Sequence, residues 1–325
     1  MKKLALGSRR TLILALLLAF LSEILLWDQP ELHFKSEVSF LALGGYFALA
    51  LFLLFLAERF RVRNAFGLFV LAGIYGLLSS LLINPETAFI EIPRTLFSRV
   101  MGAHTLMGLI ALNVLYLLYG VRPRRELILY GAGFFVMGIA GGIWGRWSPV
   151  EFQFGAGLEN SILTLLMSTL VSGAIITISV LWAKEDAHET ETPSPLGWFV
   201  CIGGFVSLLL LQFFSENIDG MILLITCTFV IFCLVILWYL RRQQGMMLND
   251  LFRKTALQPK RLLLVFILLV IGVLIGYHLP RQTGSNDLLL WISFLFTGFG
   301  ISWLPAVAVV IGGRAFMRSV QQSKL

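Results

Sequence analysis

Residues 221–242 read MILLITCTFVIFCLVILWYLRR. From Met221 to Tyr239 no side chain is charged, Trp238 and Tyr239 close the run, and Arg241 and Arg242 follow at once. Wound as an α-helix, such a stretch covers the roughly 30 Å hydrocarbon core of a bilayer. Aromatic residues with a polar tip, then arginine, are what a helix carries where it leaves lipid for the cytoplasm. A helix apolar on every face can also sit inside a large soluble core, but this chain lacks the polar surface to enclose one. Of its 325 residues 58% are hydrophobic and 13% charged, where a soluble domain has about a quarter charged. Lipid as the solvent removes the difficulty, since apolar side chains then face outward without penalty.

The same pattern recurs on both sides of this segment. Further apolar runs cover Thr11–Trp27, Val38–Ala57, Phe66–Ile83, Val100–Tyr119, Leu127–Trp144, Ser161–Trp182, Leu196–Phe214, Leu262–His278 and Leu288–Ile311. The sequence therefore predicts an all-α fold, a polytopic transmembrane helix bundle of about ten spans. The basic N-terminus precedes an apolar run with no small-x-small cleavage site, so the first run reads as an uncleaved span. With the spans alternating, twenty of the 25 Lys and Arg residues fall on one side. That side is cytoplasmic by the positive-inside rule, which puts both termini inside (N-in/C-in) and points to the plasma (cytoplasmic) membrane, of bacterial type. Residues 184–195 form an acidic cytoplasmic linker between six spans in 1–183 and four in 196–325, within a single membrane domain. An equal division into five-span halves is also compatible with the topology, but no motif repeats between them.

Small residues are how lipid-solvated helices approach closely. The fifth span has Gly138/Gly142 and Gly141/Gly145, and the ninth has Gly272/Gly276, all at the small-xxx-small spacing. Tight helix crossings are expected there. Ser161, Thr164, Ser168 and Ser172 form one stripe on the sixth span and are candidate cavity-lining residues; hydrogen bonding to backbone carbonyls is the competing role. Pro305 removes a helical hydrogen bond, so the tenth span is expected to kink or break. Trp303, beside it, lies deeper than the other tryptophans, which sit near span ends.

Ionisable groups at membrane depth are costly, and each is a candidate for function. Glu23 lies in the outer part of the first span, and His104 at similar depth in the fourth. Arg94 and Arg99 precede the fourth span, and Arg146 follows the fifth. Glu23, Arg94, Arg99, His104 and Arg146 form the candidate substrate-binding cluster. Arginine forks grip a carboxylate or phosphate bidentately, and Glu23 with His104 has the chemistry to carry a proton. Glu23 paired to Arg99 or Arg146 would instead only fix helix register.

No phosphate-binding loop, zinc-protease helix, EF-hand or nucleophile elbow occurs. The three cysteines lie inside apolar runs without metal spacing, so no metal or other cofactor is expected. Two outer histidines, His104 and His278, are the only candidates for a haem, and nothing else supports one. The basic residues lack the aromatic interleaving of a nucleic-acid surface, so no nucleic acid is expected as partner. The expected partners are the lipid bilayer and a small anionic solute or lipid headgroup. A small-solute transporter or permease fits these features best. The alternatives are a membrane-embedded enzyme acting on a lipid or lipid-linked substrate at the outer leaflet, and a non-catalytic membrane scaffold.

Overall fold

The computed structural model describes residues 2–26, 36–89, 91–118, 124–147, 162–183, 195–241, 258–280 and 287–323. Their regular structure is helical throughout. In chain order the elements are α1 (Lys2–Ala19), π1 (Phe20–Leu25), α2 (Ser36–Arg59), α3 (Ala65–Leu82), α4 (Pro85–Ala88), π2 (Leu96–His104), α5 (Thr105–Leu118) and α6 (Arg124–Trp147). They continue as α7 (Ile162–Ala183), α8 (Pro195–Phe214), α9 (Gly220–Leu240), α10 (Pro259–His278), α11 (Leu288–Pro305), π3 (Ala306–Gly312) and α12 (Gly313–Ser323). Among the described residues, eight helical stretches are long and apolar enough to cross a membrane. The chain is thus a multi-pass helical membrane protein. Residues 184–194 of the predicted acidic linker and Ser161 lie outside the described residues.

Apolar surface is distributed as a lipid solvent requires. The α3 span is 78% buried inside the bundle, whereas the α9 span is only 22% buried. Outward-facing residues include Phe214 and Val309, 78% and 72% exposed. In water such surface would drive aggregation. In hydrocarbon it carries no penalty, so the central position goes to the helix that packs best. Tyr75, Ile74 and Leu71 on α3 are fully buried, and α2, α5, α8, α9 and π2 all pack against this helix.

Short connections set up antiparallel neighbours. At the end of α2, Arg61 N–H donates to the Glu58 carbonyl (3.0 Å) and Val62 N–H to the Ala57 carbonyl (2.8 Å). This closure puts Arg61 in the left-handed region, at φ 51°, where glycine is the usual occupant. Three residues later Asn64 caps α3, its side-chain oxygen accepting from Gly67 N–H at 3.1 Å. The α8–α9 connection repeats the device, with Glu216 at φ 58° and the Asp219 carboxylate accepting from Ile222 N–H at 2.7 Å. Asn64→Ala should cost about 1 kcal/mol, read as a lower thermal unfolding midpoint; Asn64→Ser, which keeps an acceptor, should restore it. Equal midpoints for all three proteins would show that the cap contributes nothing.

Helices from both sides of residues 184–195 pack together. The closest pair is α6 with α10, joined where Gly138 and Gly142 face Gly272 and Gly276. A Cβ on Gly138 would lie 2.2 Å from the Leu269 carbonyl, and one on Gly276 would lie 2.0 Å from the Ile139 carbonyl. The backbones touch because nothing stands between them. The glycine spacing in the sequence has the role expected of it.

Two expectations are narrowed. Of a kink or a break at Pro305, the break does not occur. The apolar run continues from Leu288 to Met317, and the chain widens into π3 after the proline, as helices do when an i→i−4 bond is missing. The fourth span starts earlier than Val100, at Leu96, because π2 runs directly into α5.

Candidate functional site

Most hydroxyls within the spans satisfy themselves locally. Thr169, Thr177, Thr228 and Thr297 each donate to the carbonyl four residues earlier, at 2.7 to 2.9 Å. Such bonds need no partner from another helix. The hydroxyls around Glu23 behave differently.

Glu23 lies on π1, where the wider winding carries Ser22 and Glu23 past the end of α1. Its Oε1 accepts from the Tyr46 hydroxyl on α2 and from Asn84 Nδ2, just beyond α3, at 2.9 Å. The neighbouring Ser22 Oγ lies 2.6 Å from the Tyr75 hydroxyl of α3. Ser79, one turn from Tyr75, sits beside both phenols but outside hydrogen-bonding geometry to either. Ser79 and Ser80 are fully buried, and neither hydroxyl has a hydrogen-bond partner among the described residues. Three parts of the chain thus converge on one polar nest. It runs along α3 from Tyr75 to Asn84, about 13 Å at the helical rise per residue.

The electrostatics are distinctive. Among the described residues no cation comes within ion-pair distance of Glu23, and neutral donors alone compensate it. A carboxyl withdrawn from water normally finds a positive partner, because desolvating an unpaired charge costs several kcal/mol even after relaxation. Half-buried Glu23 keeps its second oxygen, Oε2, without a hydrogen bond among the described residues. At the same end of the bundle Gln212 of α8 donates to the Leu82 carbonyl at 3.1 Å and accepts from Asn217 at 2.8 Å, which ties α8 to the rim of the nest.

The other predicted cluster residues are distributed around the bundle. No hydrogen bond or ion pair among the described residues joins Glu23 to Arg94, Arg99, His104 or Arg146. Arg94 forms an ion pair with Glu91 at 3.1 Å, with both side chains well exposed (76% and 60%). Such a pair contributes little. Arg146 donates from Nη1 to the Tyr277 carbonyl at 2.7 Å and lies over the Tyr277 ring, 5.0 Å from its centroid. It therefore fastens the end of α6 to α10. His104 is fully buried at the end of π2, with Arg99 as its charged neighbour. Of the five, only these last two are brought together.

On α7, Ser168 donates to its own Leu165 carbonyl at 3.2 Å. Ser172 is half-buried, flanking the buried face that carries Leu165, Thr169 and Ile176. Thr164 lies in the same helix. A groove of about 220 Å³ lies elsewhere, between α5, α6 and α10, lined by Leu117, Leu127, Gly131, Lys260, Arg261, Leu264 and Val265. None of the nest residues or the α7 stripe borders it. Among the described residues no three His, Cys, Asp or Glu side chains gather in a way that would hold a metal ion.

Tyr46, Tyr75, Ser79, Ser80 and Asn84 are therefore the members of the nest that sequence reasoning missed. A signal for them exists. Tyr46 and Tyr75 lie in mid-span rather than at the headgroup zone, and Ser79-Ser80 interrupts an otherwise apolar helix. Compared with known proteins, the chain matches no family model, no curated protein and no solved structure.

Proposed function

We propose that this chain is a small-solute transporter of the plasma membrane that crosses it ten times with both termini in the cytoplasm. The eight long helices are joined in this count by α1 with π1 and by α8, 20 residues long, each sufficient for about 30 Å of hydrocarbon. The observation that carries the proposal is the Glu23 nest. It is an acidic group held by neutral donors from different helices, in the interior of the bundle and not on its lipid-facing surface. Polar sites between helices near mid-membrane are where transporters bind solutes and coupling ions. The π-helical winding at Glu23 and the loosened helix after Pro305 add to this, since backbone irregularity within a span concentrates at functional segments. The anionic solute or headgroup expected from Arg94, Arg99 and Arg146 belongs to this proposal as its alternative ligand, bound at the outer ends of the helices.

A transporter must open its site to each side in turn, and this can be tested without knowing the solute. Ser80→Cys, in a chain whose Cys201, Cys227 and Cys233 are replaced by serine or alanine, should react with an impermeant thiol reagent in right-side-out vesicles and also in inverted ones. Labelling from the outer face alone would match an outer-leaflet enzyme and overturn transport. Labelling from neither face would match a scaffold and overturn it equally.

A further inference from the structure

We infer that Glu23 is a reversible proton-binding site served by a chain of buried hydroxyls formed by Tyr46, Ser79, Tyr75 and Ser22. The inference takes its purpose from the transport proposal, for which it names the coupling ion, but its measurement is independent of that proposal.

The arrangement of donors selects the ligand. Both Tyr46 and Asn84 direct hydrogens at Oε1, so that oxygen is surrounded by positive ends of dipoles, which suit an anion and repel a metal cation. Oε2 is the oxygen still open among the described residues, and a proton is the cation that fits there without displacing either donor. With Oε2 protonated the carboxyl is neutral, and Oε1 keeps both hydrogen bonds as a carbonyl oxygen. Both states are therefore held by the same partners, which is what reversible loading requires.

The hydroxyl chain supplies a route. Tyr46 donates to Glu23, Tyr75 and Ser22 are hydrogen-bonded to each other at 2.6 Å, and Ser79 stands beside both phenols. A hydroxyl both donates and accepts, so each member can take a proton on its lone pair while passing its own onward. The Ser79 hydroxyl, fully buried with no hydrogen-bond partner among the described residues, closes the gap between the phenols when its side chain turns about Cα–Cβ and carries Oγ toward them. Tyr46 and Tyr75 lie near the middle of α2 and α3, so the chain joins the outer end of the bundle to its mid-depth. The step balances simply. From the outer end, a hydronium gives up one O–H bond and becomes water as an O–H bond forms at Oε2. Along the hydroxyls, Tyr46 breaks its O–H bond to form one at Oε1 and takes a proton from the next hydroxyl, the last of them refilled by a hydronium that becomes water. Either way the carboxylate charge goes from −1 to 0, and release is the reverse.

The surroundings contain little else that titrates. Tyr46 comes from α2 and Tyr75 from α3. α7, which also packs on π1, has no titratable side chain, and the single one on α5, Tyr116, lies at the far end of that helix. Leu25 meets α6 at Gly141, and Arg146 of α6 is engaged with Tyr277. Arg99 and His104 on π2 are neighbours of each other.

The test is pH-difference infrared spectroscopy on the full-length protein in lipid nanodiscs, with proton uptake titrated in parallel. The wild type should gain a protonated-carboxyl C=O band on acidification. Glu23→Gln, which keeps an acceptor for Tyr46 and Asn84, should lose that band and bind one proton fewer per chain. Tyr46→Phe should keep the band but move its frequency, because one hydrogen bond to the carboxyl is gone. Unchanged amide bands and a monodisperse elution profile verify that each variant is folded. Identical wild-type and Glu23→Gln spectra would overturn the inference. So would a Glu23 band displaced by sodium at constant pH, which would make this a metal-cation site. Two-sided labelling of Ser80→Cys with a silent Glu23 would leave transport standing without this ion. A titrating Glu23 with one-sided labelling would do the reverse.

Discussion

Gly276→Leu is expected to destabilise the protein by about 3 kcal/mol, at the upper end of overpacking costs, and to lower the yield of monodisperse protein sharply. The obstacle at this position is backbone. A Cβ on Gly276 would sit 2.0 Å from the Ile139 carbonyl oxygen and 2.9 Å from its Cα. A side chain can rotate away from a clash, but a helix backbone moves only if the whole helix moves. Separating α6 from α10 would also open the contacts of Gly138, Gly142 and Gly272 along the same seam, where a Cβ on any of the three would fall within 2.3 Å of a carbonyl oxygen on the facing helix. It would pull on the Arg146–Tyr277 clamp at the end of the pair. No gain in apolar burial compensates, because lipid already solvates a leucine as well as protein does. Gly133, on the same helix as Gly138, has nothing within 4 Å of such a Cβ. Gly133→Leu should therefore stay within about 0.5 kcal/mol of wild type, as surface changes do. Thermal unfolding of both variants in one detergent checks the pair, and equal midpoints would refute the packing account.

Trp303→Ala is expected to cost about 3 kcal/mol, the low end for removing a buried aromatic. The low end applies because leaving the protein interior for lipid, unlike leaving it for water, carries little transfer penalty. What is lost is dispersion contact and a filled volume. Trp303 is fully buried, its ring fills a notch at Gly73, and Nε1 donates to the Phe69 carbonyl at 3.4 Å. A Cβ on Gly73 would come within 1.8 Å of the Trp303 ring, so Gly73→Ala should be destabilising as well. The double variant Gly73→Ala/Trp303→Ala should be clearly more stable than the sum of the two single losses, since the added methyl enters space the indole has left. Additive losses would mean that the two residues do not share this contact.

These two seams differ in how visible they are beforehand. Gly138/Gly142 and Gly272/Gly276 carry their spacing in the chain itself, and close approach is the physical meaning of that spacing. Trp303 is conspicuous only as a tryptophan out of place, and Gly73 has nothing to distinguish it from other glycines. The Glu23 nest lies between these cases. Glu23 stands out because a carboxyl in an apolar run needs compensation, but its compensators are neutral residues on α2 and after α3. The arginines that share its depth were the natural candidates. Arg94 instead pairs at the exposed rim with Glu91, and Arg146 binds a carbonyl of α10. The serine stripe of α7 is a different case. A polar stripe says which face of a helix is polar, but a hydroxyl can satisfy itself on its own backbone, as Ser168 does on Leu165.

Hydropathy by itself determined the medium in which this chain folds and the helical class. Both follow from transfer energies and helix rise, which are properties of a segment taken alone. Only the tertiary structure decided which residues meet at a given depth. Lateral position around the bundle is set by how side-chain surfaces of different helices fit, and in lipid no hydrophobic force between helices simplifies that choice. Tyr46, Tyr75 and Ser79 therefore joined Glu23 through packing, although nothing along the chain links them.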